Sequence, residues 1–137
     1  MALGELLSEF RGQVTSTKIY PFESSGQGVK YEVNITGEHS GRLSGREVGT
    51  GYFLLAPDGT VTGTGYSILT TSAGETILIE DRGMIVPIGP GRSRVRTTVT
   101  FRTTSQRLAS LNTTVGAFEA EIDLSTMEIV GKNYEWK

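Results

Sequence analysis

Three charged residues, Glu80, Asp81 and Arg82, lie together inside the apolar run ILIEDRGMIV, residues 77–86. Successive side chains of a β-strand point to opposite faces of the sheet, so these three cannot share one environment. The face that holds Asp81 also carries three isoleucines and is the more apolar of the two, so we predict that Asp81 points inward. Glu80 and Arg82 then lie two residues apart on the outer face, where they can pair.

An inward carboxyl group at position 81 allows two interpretations. In apolar surroundings a carboxylate must find partners, or its pKa rises and the group stays neutral. Asp81 would then serve as a polar contact for a ligand, or as a general acid or base. In the other interpretation Asp81 lies at a wet strand end, near the bend marked by Gly83, and has only a structural role.

Two tyrosines and an asparagine provide the other candidate contacts. Tyr31 and Tyr66 each alternate with aliphatic residues, so we predict that both rings face inward. Buried tyrosine hydroxyl groups need hydrogen-bond partners and are suitable ligand contacts, although the same pattern is typical of core aromatics. Asn112 either turns inward or closes its connection through backbone hydrogen bonds. The sequence thus predicts four candidate cavity residues: Tyr31, Tyr66, Asp81 and Asn112.

Most classes of catalytic site lack the residues that they need in this chain. There is no cysteine, which excludes disulfides, thiol nucleophiles and thiolate metal sites. The single histidine, His39, cannot build a zinc site or a catalytic triad alone, and we predict that it is a surface or turn residue. No serine has the G-x-S-x-G context or a plausible triad partner, which disfavours serine hydrolase chemistry. We expect no metal and no cofactor.

A row of arginines raises the question of nucleic-acid binding. Arg94, Arg96 and Arg102 share one face of a predicted strand. The next predicted strand carries a matching acidic row over residues 119–123, and cross-strand pairing of the two rows accounts for both. The net charge of -2 also gives no general attraction to nucleic acid or anionic lipid. We therefore predict no nucleic-acid partner.

Alternation with a period of two dominates the chain after an amphipathic start. Leucines and a phenylalanine at helical spacing predict a short helix over residues 2–10. Period-two alternation, bounded by glycine and proline turns, then predicts eight strands. Ser105 can cap a helical turn that interrupts the alternation. The predicted strands cover residues 11–20, 29–39, 52–56, 60–71, 75–86, 93–104, 116–124 and 126–136, and the predicted helical turn covers residues 105–112.

Strand follows strand through short turns such as PDG at residues 57–59, which favours antiparallel pairing of neighbours. Eight such strands can close into a barrel, although a β-sandwich is compatible with the same pattern. Glycine, 18 of 137 residues, is typical here of bent or bulged strands. We predict one all-β domain over residues 1–137, an approximately eight-stranded antiparallel up-and-down barrel with a short N-terminal helix.

Residues 36–84 combine a glycine-spaced strand, a PDGT turn, a Y-x-I strand and an apolar strand that ends in RGM. Residues 101–116 add F-x-T, L-N and V-G elements. This frame resembles a bacterial family of unknown function that has an allene-oxide-cyclase-like, calycin-type barrel. The chain departs from the family at Tyr52-Phe53, which stands in place of a D-W pair, and at TGTGY, residues 62–66, in place of a D-x-R. The resemblance implies the barrel and no particular activity.

These observations predict a small β-barrel protein that binds a small, mostly apolar molecule in its interior. The first alternative is a cofactor-independent isomerase or cyclase that uses an inward carboxylate or tyrosine, so whether the protein is an enzyme stays open. The second alternative is a structural or oligomerising domain with a filled barrel. Outward side chains at Leu78 and Met84 would suit a homo-oligomer.

The N-terminal segment and the longest apolar runs decide the predicted location. The segment MALGELLSEF has no basic stretch and carries two glutamates, so it is not a signal peptide. The apolar runs are too short for a membrane-spanning helix. We predict a cytoplasmic protein with no membrane partner.

Overall fold

The computed structural model describes residues 3–23 and 28–137, and in these residues eight strands form one antiparallel sheet. Each strand pairs with its neighbours along the chain, and β1 pairs with β8, so the sheet closes into an up-and-down barrel. The predicted all-β, eight-stranded antiparallel barrel is confirmed. The strands are β1 Leu3–Ile19, β2 Val29–Ser40, β3 Gly45–Leu55, β4 Val61–Thr71, β5 Thr76–Gly89, β6 Arg92–Arg102, β7 Val115–Asp123 and β8 Glu128–Trp136, and a 3-10 turn covers Ala109–Thr113.

The predicted helix over residues 2–10 is wrong. β1 begins at Leu3 and pairs with β8 along its first half, while residue 2 lies outside the described residues. The register shifts between Leu6 and Ser8, and this bulge leaves the successive residues Leu7 and Ser8 both buried. Two consecutive buried residues break the period of two, which is why the sequence imitates the apolar face of a helix.

Two other boundaries differ from the predictions. β3 begins at Gly45, well before the predicted start at residue 52, because the glycines expected to form bulges are regular members of the ladder. The pairing of β2 with β3 runs without a register shift from Val29 and Leu55 to His39 and Gly45. β5 continues to Gly89, beyond its predicted end at residue 86, and a tight turn leads into β6 at Arg92.

An apolar plug closes one end of the barrel. It combines inward side chains of four strands with residues from two connections, and burial of each large apolar side chain contributes about 1.5–3 kcal/mol to folding. The connections are the one between β2 and β3 and the one around the 3-10 turn. The members of the plug are Leu7, Leu43, Leu69, Ile77, Val99, Phe101, Leu108 and Leu111.

An ion pair ties the 3-10 connection to the β4–β5 turn at the same end. The guanidinium group of Arg107 donates to Glu75, with 3.1 Å between Nε and Oε2, and the Ser105 hydroxyl donates to Glu75 as well. The bonds from Arg107 and Ser105 lower the pKa of Glu75 to about 2. Apolar and charged contacts therefore both stabilise the plugged end of the barrel.

The two sides of the barrel interior differ in the side chains that they present. A second apolar cluster of Phe10, Val95, Ala120, Ile122 and Ile129 occupies the side formed by β1, β6, β7 and β8. On the opposite side, the ring of Phe53 covers glycines 51 and 63, and a Cβ at these glycines would come within 2.4 Å and 2.3 Å of ring atoms. The glycines let the ring lie against the wall, which leaves the centre of the barrel open.

The outer faces of β5 and β6 agree with the predicted registers. Leu78 and Met84 are 44% and 47% exposed, which confirms that they point outward, and self-association through them stays a prediction. Arg94 lies opposite Glu121 in the register of β6 and β7, with 3.9 Å between Nη2 and Oε1, so the predicted cross-strand ion pairing is confirmed. Arg102 lies beyond the part of β6 that pairs with β7. Among the described residues, the helical structure is too short to cross a lipid bilayer.

Candidate functional site

A cavity of about 440 Å³ occupies the interior of the barrel. Gly59, Gly89 and Leu124 line it at the end formed by the β3–β4, β5–β6 and β7–β8 turns, and the apolar plug closes the other end. Small-molecule sites have volumes of about 300–1,000 Å³ and mostly apolar walls, and this cavity has both properties. The expectation of a filled barrel does not agree with this open interior.

Two of the four predicted site residues, Tyr31 and Asp81, line the cavity. The Tyr31 ring lies 5.4 Å from the Phe53 ring, centroid to centroid, and burial raises the pKa of the Tyr31 hydroxyl. The predicted inward orientation of both residues is confirmed. Their contact with a ligand stays a prediction.

Tyr66 does not reach the cavity, and its predicted inward orientation is wrong. The residue is 47% exposed, and its ring lies 6.1 Å from the ring of Tyr52 on the outer surface. Gly65 and Ser67 take the inward positions of β4 and line the cavity instead. Because glycine adds nothing to the apolar count of the inner face, the alternation assigned the two faces of β4 the wrong way round.

Asn112 also lies outside the cavity, in the connection between β6 and β7. Its side-chain oxygen accepts a hydrogen bond from the backbone N–H of Thr103 at 2.8 Å, and its side-chain nitrogen donates to the Thr103 carbonyl at 3.1 Å. These bonds close the connection. The structural alternative for Asn112 is the observed one, and its predicted place among the cavity residues is wrong.

Asp81 takes the space that Gly65 leaves on the neighbouring strand. A Cβ at Gly65 would come within 2.2 Å of Asp81 Oδ1. Burial raises the pKa of Asp81, the nearby Thr97 hydroxyl opposes the shift, and the negative charge of Glu47 adds to it. The Thr97 hydroxyl has no hydrogen bond of good geometry within the described residues. Asp81 is thus a largely buried carboxyl group whose surroundings raise its pKa.

A buried polar network lies where the cavity meets the apolar plug, and we call this region the floor. His39 Nε2 and Glu47 Oε1 are 2.6 Å apart, and His39 Nδ1 and Ser8 Oγ are 2.8 Å apart. Asn133 Nδ2 donates to Ser8 Oγ at 3.3 Å. His39, Glu47 and Asn133 line the cavity, whereas Ser8 is fully buried behind them.

One direction of hydrogen bonding connects all four side chains of this network. Asn133 donates to Ser8, and we expect Ser8 to donate its own proton to His39 Nδ1. The ring then carries a proton on Nε2 and donates it to the Glu47 carboxylate. In this arrangement each of the three bonds along the chain Asn133, Ser8, His39, Glu47 has one donor and one acceptor.

Sequence reasoning missed this network. The prediction that His39 is a surface or turn residue is wrong, because the side chain is 6% exposed and its ring lies 4.9 Å from that of Phe10. Its odd-numbered alternation with Tyr31 was a signal for an inward position. Ser8 was hidden by the wrong helix assignment. Ser8 does have a triad-like partner in His39, but Ser8 itself is fully buried. Its burial disfavours serine hydrolase chemistry, in agreement with the expectation.

Metal binding needs several ligands at one point. Within residues 3–23 and 28–137, no three histidine, aspartate or glutamate side chains come close enough together to hold an ion.

The comparisons with known proteins support the fold. No protein-family model matches the chain, and no curated protein sequence matches it. A β-barrel-like protein from Acinetobacter baumannii has a TM-score of 0.85 at 20% identity, with 99% of this chain and 96% of that chain covered. A protein of unknown function from Clostridium acetobutylicum has a TM-score of 0.83 at 20% identity, with 96% of each chain covered.

An enzyme from Penicillium herquei is more distant, with a TM-score of 0.66 at 18% identity and 98% and 97% of the two chains covered. At these identities the likeness concerns the fold alone. The expected resemblance to bacterial β-barrel proteins of unknown function is confirmed at that level.

The raised pKa of Asp81 predicts an unusual dependence of stability on pH. The folded state binds the proton of Asp81 more tightly than the unfolded chain does, so ionisation of Asp81 destabilises the fold. This penalty is absent below the ordinary pKa of 3.8 and grows as the pH rises through the raised pKa. We expect Asp81→Asn to raise Tm by a few degrees at pH 7 and to leave it unchanged near pH 3, as measured by calorimetry.

Asp123→Asn is the matched control. Hydrogen bonds from Ser125 lower the pKa of Asp123, so this variant should lose stability at pH 7. A fall in Tm at pH 7 for Asp81→Asn, or an equal change at both pH values, would contradict the assignment of Asp81 as a destabilising inward carboxyl group.

Proposed function

We propose that the barrel binds a small, mostly apolar molecule in its interior. The observation that carries this proposal is the open cavity of about 440 Å³, with apolar walls and a few polar groups gathered at its floor. Few convergent polar groups in an apolar concavity are typical of ligand sites. The allene-oxide-cyclase-like and calycin-type designations are part of this proposal, since the comparisons support the barrel alone.

Apolar burial by itself would give only weak binding. A two-ring ligand that loses roughly 300 Å² of apolar surface gains about 7 kcal/mol, and association costs at least about 4 kcal/mol. The remainder corresponds to millimolar affinity, on the order of 10⁻³ M. A tighter ligand must also use the polar floor, so we expect a molecule with an apolar frame and a single polar end.

Filling the cavity tests the binding proposal. Ile85 lines the cavity, whereas Leu78 lies on the outer face of the same strand. Nile red is a neutral, apolar dye that fluoresces when it leaves water. We expect Ile85→Trp to raise its Kd more than tenfold, and the control Leu78→Trp to stay within twofold of wild type, in a fluorescence titration. Equal binding by both variants, or no binding by the wild-type protein, would contradict the proposal.

A second function is favoured by the two carboxyl groups that face one cavity. Glu47 receives a hydrogen bond from His39, while burial raises the pKa of Asp81. Paired titratable groups in different surroundings are typical of acid–base catalysis. In a cofactor-independent isomerase or cyclase, Glu47 would remove a proton from carbon and protonated Asp81 would donate a hydrogen bond to the resulting enolate oxygen. Tyr31 is an alternative donor from the cavity wall.

Proton exchange on a simple ketone tests the second function without a known substrate. 2-Tetralone is an apolar two-ring ketone with acidic protons beside its carbonyl. If the pair is catalytic, the protein in D₂O should accelerate deuterium incorporation at that carbon at least tenfold over buffer, as followed by NMR. Glu47→Gln should abolish the acceleration, and the outer-face variant Glu119→Gln should preserve it. Exchange at the buffer rate would rule out this second function.

A further inference from the structure

We infer that Glu47 is an anionic hydrogen-bond acceptor at the cavity floor, and that the polar end of the ligand is a hydroxyl group, an alcohol or a phenol, that donates to it. This inference rests on the proposed binding of a small, mostly apolar molecule. It adds the chemical class of the polar end and the residue that recognises it.

The hydrogen bonds of the buried network lead to Glu47. The His39 ring bonds Oε1 of Glu47 through Nε2, and on its other side the ring bonds Ser8, which accepts from Asn133. The carboxylate is therefore held at Oε1 by the His39 ring. Within the described residues Oε2 forms no hydrogen bond, and Glu47 lines the cavity, so this oxygen is available to a ligand.

The floor of the cavity has an excess of hydrogen-bond acceptors. The side-chain oxygen of Asn133 has no hydrogen-bond partner in the described part of the chain, although Asn133 is only 7% exposed and lines the cavity. Together with the free oxygen of Glu47, it makes a region where acceptors outnumber donors. A buried acceptor without a donor is unfavourable, so a ligand that brings a donor is preferred.

The charges around the cavity disfavour a charged ligand. Among the described residues, Arg92 is the one lysine or arginine that lines the cavity, and it lies at the open end, at the first residue of β6. An anionic ligand would therefore meet the Glu47 carboxylate at the floor without a lysine or arginine of the described residues beside it. An ammonium group would lose its hydration between apolar walls, which carries a large penalty. A neutral hydroxyl group avoids both penalties and forms a charge-assisted hydrogen bond with the Glu47 carboxylate.

Three naphthalene derivatives test this assignment, because they share a two-ring frame and differ only in the polar end. Each is used to displace Nile red from the wild-type protein at pH 7. We expect 2-naphthol to displace the dye at a concentration at least tenfold lower than naphthalene. The anion 2-naphthoate should be no better than naphthalene.

Variants locate the preference. Glu47→Gln removes the negative charge and should reduce the advantage of 2-naphthol over naphthalene to threefold or less. The control Glu119→Gln changes an exposed glutamate on the outer face of β7 and should keep the tenfold advantage. The wild-type comparison stands without the variant if Glu47→Gln does not fold.

The outcomes separate the two levels of the proposal. If naphthalene and 2-naphthol displace the dye equally, or if 2-naphthoate is preferred, the inference about the hydroxyl group is overturned and apolar binding stands. If none of the three displaces the dye, the proposed binding function is overturned together with it. A 2-naphthol preference that survives in Glu47→Gln would overturn the assignment of Glu47.

Discussion

The hydrogen bond between His39 and Glu47 is the contact on which the interior of this barrel depends. It joins β2 to β3 at the floor of the cavity, where both side chains are largely withdrawn from water. A buried carboxylate is tolerated only when it is hydrogen-bonded, and the ring of His39 provides that bond. Asn133 donates to Ser8, and we expect Ser8 to donate in turn to His39, which leaves Nε2 to donate to Glu47.

Space for a ligand has a different origin, three glycines of β3 and β4. A Cβ at Gly51 or Gly63 would collide with the ring of Phe53, and a Cβ at Gly65 would collide with Asp81 on β5. With glycine there, the aromatic ring and the carboxyl group lie against the wall instead of crossing the centre. The apolar cluster on the opposite side forms the other wall of the same cavity.

Period-two alternation was enough to predict the barrel, the inward positions of Asp81 and Tyr31, and the ion pairing of β6 with β7. It failed where one of its assumptions failed. The bulge at Leu7 and Ser8 places consecutive residues inside. The glycines on the inner face of β4 add nothing to its apolar count, so the outer face, which carries Tyr66, was taken for the inner one. The floor network could not be predicted, because Ser8, His39, Glu47 and Asn133 come from four strands and no local spacing connects them. Only the closure of the barrel brings β8 beside β1 and completes the network.

The protonation of His39 tests the central claim most directly, and His39 is the single histidine of the chain. Nitrogen NMR of a sample labelled with ¹⁵N-histidine reports which ring nitrogen carries a proton. We expect a proton on Nε2, where it is donated to Glu47, and an unprotonated Nδ1 that accepts from Ser8. A ring protonated on Nδ1, either as the other tautomer or as the cation, would contradict the account.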